Sequence, residues 1–343
     1  MPSNQALARL ESLPRVPVID AEAPGVVPPQ VFEEGRPVVI KNLIAEWPVL
    51  DAKDRSQMER YLSGFWIDRP VVAYVGTADI RGRFFYDEAL TGFNFKGGSA
   101  PLAQVFERIQ EQEAAASPMS IYVGSTPVDG WLPGFRAAND IAVPSDQPLV
   151  SFWLGNRTKI SAHYDYPDNI ACVVAGERRF TLFPPEQVTN LYVGPIDKTP
   201  SGQAISLVDF ADPDLERFPR FAEALEAGFQ AHCGPGDALF IPSLWWHHVE
   251  SQSDFNMLVN YWWIPEIASQ ATPAAALLHA MLAIRDLPPR HRKGWKALFE
   301  HYVFDSDPAV YEHIPEAARG PLAPLTDVSS RRLLADILNR LNQ

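Results

Sequence analysis

Cysteine is scarce in this sequence, and acid outweighs base. Two cysteines in 343 residues, Cys172 and Cys233, exclude a disulfide framework. Each sits beside an apolar run and is expected as a buried free thiol. No stretch approaches the roughly 20 apolar residues of a membrane span, so no membrane partner is expected. The opening MPSNQALARLESLPR lacks an apolar core followed by a cleavage site. The expected location is therefore cytoplasmic. Lys and Arg number 29 against 42 Asp and Glu, a net charge of −13. Such a surface repels phosphate backbones, and nucleic acid is not expected as a direct partner. Long helical patterns are also few, because 32 prolines favour turns and strand ends.

Aromatic residues, by contrast, are plentiful: nine Trp, ten Tyr and nineteen Phe. The length suits one large domain with an appendage. Short β-type runs recur at 35–41, 70–76, 83–86, 119–124, 150–155, 169–174, 178–183, 238–241 and 255–261. Helices are expected over 54–63 and 101–116, the second with Leu102, Val105, Phe106 and Ile109 as its apolar stripe. Gly97-Gly98 reads as a turn, and 125–147 as a Pro/Gly/Asp-rich loop that borders a groove.

The chemistry concentrates in His163-Tyr164-Asp165. Two residues apart on extended chain, the imidazole and the carboxylate point to one face and can share a metal ion. A third ligand is offered by the run Gly236 to Val249, where His247 and His248 are neighbours. Neighbours on a strand face opposite ways, so spacing admits only one of them. Two His and one carboxylate on one face of a metal are the facial triad of non-haem Fe(II) oxygenases. The same alternation separates Arg178 from Arg179: only one can enter a barrel. His232 reads as a strand or surface residue.

The motifs AHYD (162–165), Asn169 with RRFTLFPP (178–185), GPGDALFIPSLWWHHVES (234–251) and VNYWW (259–263) together resemble the JmjC/cupin-like family of Fe(II)- and 2-oxoglutarate-dependent oxygenases. Within it they are most similar to the asparaginyl hydroxylase of the hypoxia-inducible factor. The resemblance spans about residues 13 to 265. It implies a mainly β fold, a double-stranded β-helix (jelly-roll) with surrounding helices and a helical C-terminal extension. It assigns His163, Asp165 and His247 to the metal and Arg178 to the far carboxylate of 2-oxoglutarate. It further places Tyr122, Asn169, Asn260 and Trp262 around the cosubstrate, although Tyr122 reads equally as an ordinary core tyrosine. Arg179 and His248 are then structural. Ile160 departs from the pattern, since some relatives carry a cosubstrate-contacting Thr there.

The implied reaction turns 2-oxoglutarate and dioxygen into succinate and carbon dioxide while hydroxylating a C–H bond. A protein or peptide side chain is the first expected substrate and a small molecule the second. A non-catalytic cupin-like binding protein and a cosubstrate-free cupin enzyme are the rival readings. The expected domains are 1–265, with a barrel core at about 119–265, and a helical region at 266–343. Residues 186–232 form a long insertion with a short helix at 220–228 and no recognisable motif. Near the end, Leu333, Leu334, Ile337, Leu338 and Leu341 form one stripe. An isolated helix of this length is marginal in water and must dock on something. The resemblance implies a homodimer made by these C-terminal helices. His279, His291, His301 and His313 lack a ligand pattern and read as structural or surface residues.

Overall fold

A computed structural model describes residues 2–200, 202–264 and 271–342. The chain divides into two compact units, Met1–Ile264 and Pro265–Gln343. The expected boundary at 265/266 lies outside the described residues.

The first unit is predominantly β. Its strands are β1 (Val18–Asp20), β2 (Val38–Lys41), β3 (Val71–Gly76), β4 (Arg83–Phe84), β5 (Phe95–Ala100), β6 (Ser120–Pro127) and β7 (Leu149–Gly155). After these come β8 (Thr158–His163), β9 (Asp168–Ala175), β10 (Arg178–Phe183), β11 (Phe229–Cys233), β12 (Ala238–Ile241), β13 (Trp246–Ser251) and β14 (Asn256–Trp263). They form a nine-stranded sheet, β1-β2-β12-β9-β14-β7-β6-β3-β5, and a five-stranded sheet, β11-β10-β13-β8-β4. From β7 onward the chain passes back and forth between the two sheets. That is the jelly-roll arrangement, in which both inner faces share one interior.

Alternation along each strand divides the side chains between layers. On β9, Ala171 and Val173 point inward and meet Phe180 and Leu182 of β10 and Leu239 of β12. Ile170, Cys172 and Val174 point outward. There they pack under Met58 and Leu62 of the helix Arg55–Ser63 and Phe106 and Ile109 of the helix Leu102–Glu113. Asp54 caps the first of these helices by accepting from the Gln57 amide at 2.8 Å. Cys172 and Cys233 are buried and free. Among the described residues no helix is long and apolar enough to cross a membrane.

Two stretches differ from expectation. Gly97-Gly98 is not a turn but the centre of β5, paired residue for residue with β3. Gly97 suits that place because the Tyr74 ring lies against it, where a Cβ would stand 3.0 Å from the ring. The insertion also contributes regular structure, ending in β11, which pairs with β10. Its Ile205 bridges His163, and the Ser206 amide donates to the Ala162 carbonyl at 2.7 Å. The insertion thus lies along β8 beyond the short β4, at the point where the site begins. Its helix, Phe221–Glu226, buries Phe221, Ala224 and Leu225.

The second unit contains helices Pro273–Ile284, Pro289–Phe299 and Asp327–Leu341. Thr326 and Ser329 form a capping box at the start of the last helix. All four histidines of this unit are exposed.

Candidate active site

The metal-type cluster is assembled by two strand ends and one loop. His163 closes β8, Asp165 follows in the loop to β9, and His247 is the second residue of β13. Candidate ligand atoms of His163, Asp165 and His247 lie within 4.8 Å of one another. His247 Nε2 is 3.6 Å from Asp165 Oδ2. β8 and β13 pair His247 with His163, then Val249 with Ile160. This extra residue on β8 is a bulge, a device that re-aims neighbouring side chains beside a site. The loop before His247 is tied to the Asp165 loop. Leu244, in the left-handed region at φ 65°, donates its amide to the Asp165 carbonyl at 2.8 Å. Ser243 adds bonds from its amide to Asp168 Oδ1 and from Oγ to the Tyr166 carbonyl.

Both imidazoles are oriented by the backbone. His163 Nδ1 lies 3.0 Å from the Ser161 carbonyl, and His247 Nδ1 lies 3.0 Å from the Trp245 carbonyl. A carbonyl only accepts, so each Nδ1 carries the proton and each Nε2 keeps its lone pair for a metal. Burial, then the neighbouring His163, push the His247 pKa well below its ordinary value. The ring is therefore neutral at physiological pH, as a ligand must be. Two imidazoles and a carboxylate suit a divalent transition metal such as Fe(II).

The cluster opens into a cavity of about 410 Å³. Arg178, Tyr122, Asn169, Asn260, Trp262 and Ile160 all line it, together with the three candidate ligands. Arg178 points inward from β10 and is 5% exposed. Its Nε has no partner, and among the described residues no carboxylate pairs with it. Burial lowers its pKa to about 10, with Tyr122 opposing the shift. Burial likewise pushes the Tyr122 phenol up, so it stays protonated and can donate. A buried guanidinium with no counter-charge costs several kcal/mol. An anion entering the cavity removes that cost, which is the demand a dicarboxylate cosubstrate would meet.

The outward neighbours behave differently. Arg179 holds Glu250 with Nη2 on both carboxylate oxygens at 2.8 Å. His248 is buried against Phe210, with ring centroids 4.6 Å apart. His232 is exposed on β11. Ile160 faces the cavity beside Val249, so no hydroxyl is supplied there.

An aromatic wall completes the cavity. Trp153, Tyr74, Phe84 and Phe95 also line the cavity. Tyr122 stacks on Trp153 at 5.8 Å and 29°, and Tyr74 meets Phe95 edge-on at 5.5 Å. Alternation on β7 and β3 was the available signal, since Trp153 and Tyr74 occupy the positions opposite to the core-facing ones.

A jelly roll that gathers two His and an Asp at the mouth of an interior where, among the described residues, the Arg178 cation is unpaired defines a cupin-type protein with a candidate metal and anion site. A cupin-like domain model matches residues 27–269, and the chain belongs to that family. Among curated proteins it is similar to Jumonji C domain-containing protein 5 of Drosophila melanogaster. That match is 26% identical and covers 77% of this chain and 63% of the relative. Lysine-specific demethylase JMJ31 of Arabidopsis thaliana is 35% identical over 33% of this chain and 20% of its own length. tRNA wybutosine-synthesizing protein 5 of Gallus gallus is 37% identical over 29% of each chain. The matches thus span less than two thirds of these relatives.

Proposed function

We propose that this protein is an Fe(II)- and 2-oxoglutarate-dependent oxygenase that hydroxylates a protein or peptide side chain. The supporting observation is the buried Arg178 guanidinium, unpaired in the same cavity as His163, Asp165 and His247. A cosubstrate-free cupin does not need that cation, and a non-catalytic binding protein does not need the cation and all three metal-type residues together.

His163, Asp165 and His247 would hold the iron, a two-His-one-carboxylate set of the kind that leaves open positions for reaction. When bound, iron would let dioxygen act as the oxidant with 2-oxoglutarate as the electron donor, one oxygen atom going to the new C–OH and the other to succinate, with release of carbon dioxide. Arg178 would grip the far carboxylate with two parallel hydrogen bonds, and Tyr122 would donate a third. With Ile160 in place of a hydroxyl residue, these two carry that end alone. Apolar and aromatic walls exclude water from the reacting centre.

The names of similar proteins include a lysine demethylase and a tRNA-modifying protein. Demethylation begins with the same C–H hydroxylation. A net charge of −13 weighs against an RNA substrate and favours a neutral or basic polypeptide. The test is succinate formation from 2-oxoglutarate on addition of peptide pools, with a mass gain of one oxygen in the peptide. Stimulation by small metabolites alone would move the assignment to a small-molecule oxygenase.

A homodimer through the second unit belongs to the same reading. Leu282 is 81% exposed, Val328 75% and Phe304 74%, a large apolar surface for a single copy. Light scattering should give twice the mass of 38.2 kDa. Leu338→Glu with Leu341→Glu should halve it.

A further inference from the structure

Trp153 sits on β7 with its ring in the cavity wall and its indole N–H turned along the sheet. Register explains its partners. β7 and β14 pair Trp153 with Leu258 and Ser151 with Asn260. Trp153 and Asn260 are therefore diagonal neighbours on one face. β14 and β9 pair Asn260 with Ala171 and Trp262 with Asn169, which makes Asn260 and Asn169 diagonal neighbours in turn. Trp153 Nε1 donates to Asn260 Oδ1 at 2.6 Å. Asn260 Nδ2 donates to Asn169 Oδ1 at 3.2 Å.

The chemistry of the indole gives this chain a direction. An indole nitrogen only donates, whereas a carboxamide can be turned to present either its oxygen or its NH₂. Beside Trp153, Asn260 must present oxygen, because the flipped amide would set N–H against N–H. Its NH₂ then faces Asn169 and requires oxygen there as well. The Asn169 NH₂ is left over, and among the described residues it has no protein acceptor. Asn169 lines the cavity that holds His163, Asp165 and His247. Both amides are nearly fully buried, at 4% and 1% exposure, so water does not scramble the order. The Trp153 ring is itself fixed, stacked on Tyr122 and edge-on to Trp262 at 5.6 Å and 85°.

We infer that Trp153 is a positioning residue whose single N–H sets the donor direction of Asn260 and Asn169, so that the wall beside the metal site presents hydrogen-bond donors to a carboxylate. It acts through the two amides and not by touching the ligand with its own N–H. The inference rests on the reading of the cavity as a 2-oxoglutarate site, and it adds a residue that the metal triad and the cation do not specify.

The experiment measures 2-oxoglutarate affinity anaerobically with Fe(II) by calorimetry and, separately, Fe(II) affinity alone. Wild type is compared with Trp153→Phe and Asn260→Asp. Trp153→Phe keeps a ring but removes the N–H, freeing Asn260 to turn. Asn260→Asp keeps the acceptor for Trp153 but forces Asn169 to turn its NH₂ inward, leaving oxygen toward the ligand. Loss of one hydrogen bond to an anion corresponds to roughly tenfold in affinity. Trp153→Phe should weaken 2-oxoglutarate by about that factor, and Asn260→Asp by more, because it both inverts the wall and sets a negative charge beside the anion. Fe(II) affinity should stay within about twofold in Trp153→Phe, whereas general damage to the barrel would lower it as well. Unchanged 2-oxoglutarate affinity in Trp153→Phe, or equal losses for 2-oxoglutarate and Fe(II) in that variant, overturns the inference while leaving the oxygenase reading intact. Wild type that binds Fe(II) but no 2-oxoglutarate overturns both.

Discussion

His163 and His247 face each other across the β8–β13 pair with ring centroids 4.3 Å apart, and each ties its Nδ1 to the carbonyl two residues before it. The same local device is used twice. It freezes both rings in one tautomer before any metal arrives, so little reorganisation remains on binding.

Metal binding should depend on pH in a defined direction. Both imidazoles must be neutral, and protons compete as pH falls. The metal-free protein should respond too. The His247 pKa is lowered in the folded state, whereas the unfolded chain titrates near 6.5. Below that value the unfolded state binds more protons, so stability falls as pH drops from about 7 towards 5. Thermal melts of metal-free protein should show this decline, and His247→Gln should flatten it.

Arg178 should show opposite effects on stability and on binding. Its buried charge has no partner among the described residues. Arg178→Met should raise the melting temperature of the ligand-free protein by a few degrees, because an uncompensated buried charge is replaced by apolar packing. The same variant should abolish the stabilisation that 2-oxoglutarate gives wild type. Arg178→Lys keeps the charge but loses the two-pronged grip, and should weaken binding by about 10-fold or more.

Arg179 is the control for that experiment. Its guanidinium faces outward onto Glu250. Arg179→Ala should leave 2-oxoglutarate affinity within about twofold and lower stability by roughly 1 kcal/mol, the scale of a half-buried ion pair. Titration calorimetry and chemical denaturation check the two halves separately.

The turn that sets the face of Arg178 depends on Gly176. It sits at φ 72° between β9 and β10, and a Cβ there would lie 2.5 Å from the Phe255 carbonyl oxygen. Gly176→Ala should cost on the order of 2–4 kcal/mol, from both the left-handed backbone and the clash. A urea midpoint within error of wild type would contradict this.

Much of the fold was legible because strand alternation is a local signal. Ala171 and Val173 alternate with Ile170 and Cys172, and the structure sends the two sets to different layers. The His163–Asp165 spacing was readable for the same reason, while the approach of His247 was not. That approach depends on the β8–β13 pairing and its bulge, which couple residues 84 positions apart. Trp153 escaped notice because an indole in a strand looks the same whether it fills a core or orients an amide. Its partners, Asn260 and Asn169, come from other strands. Gly97-Gly98 read as a turn because glycine's usual role is conformational; here it makes room for the Tyr74 ring.

The most direct test of the central claim is an anaerobic titration of Fe(II) and 2-oxoglutarate into wild type, His163→Ala and Arg178→Ala, watching the visible metal-to-ligand charge-transfer absorption. The account predicts a band in wild type, none in His163→Ala, and in Arg178→Ala a band that needs far more 2-oxoglutarate. Iron bound to wild type with no band at saturating 2-oxoglutarate would contradict it.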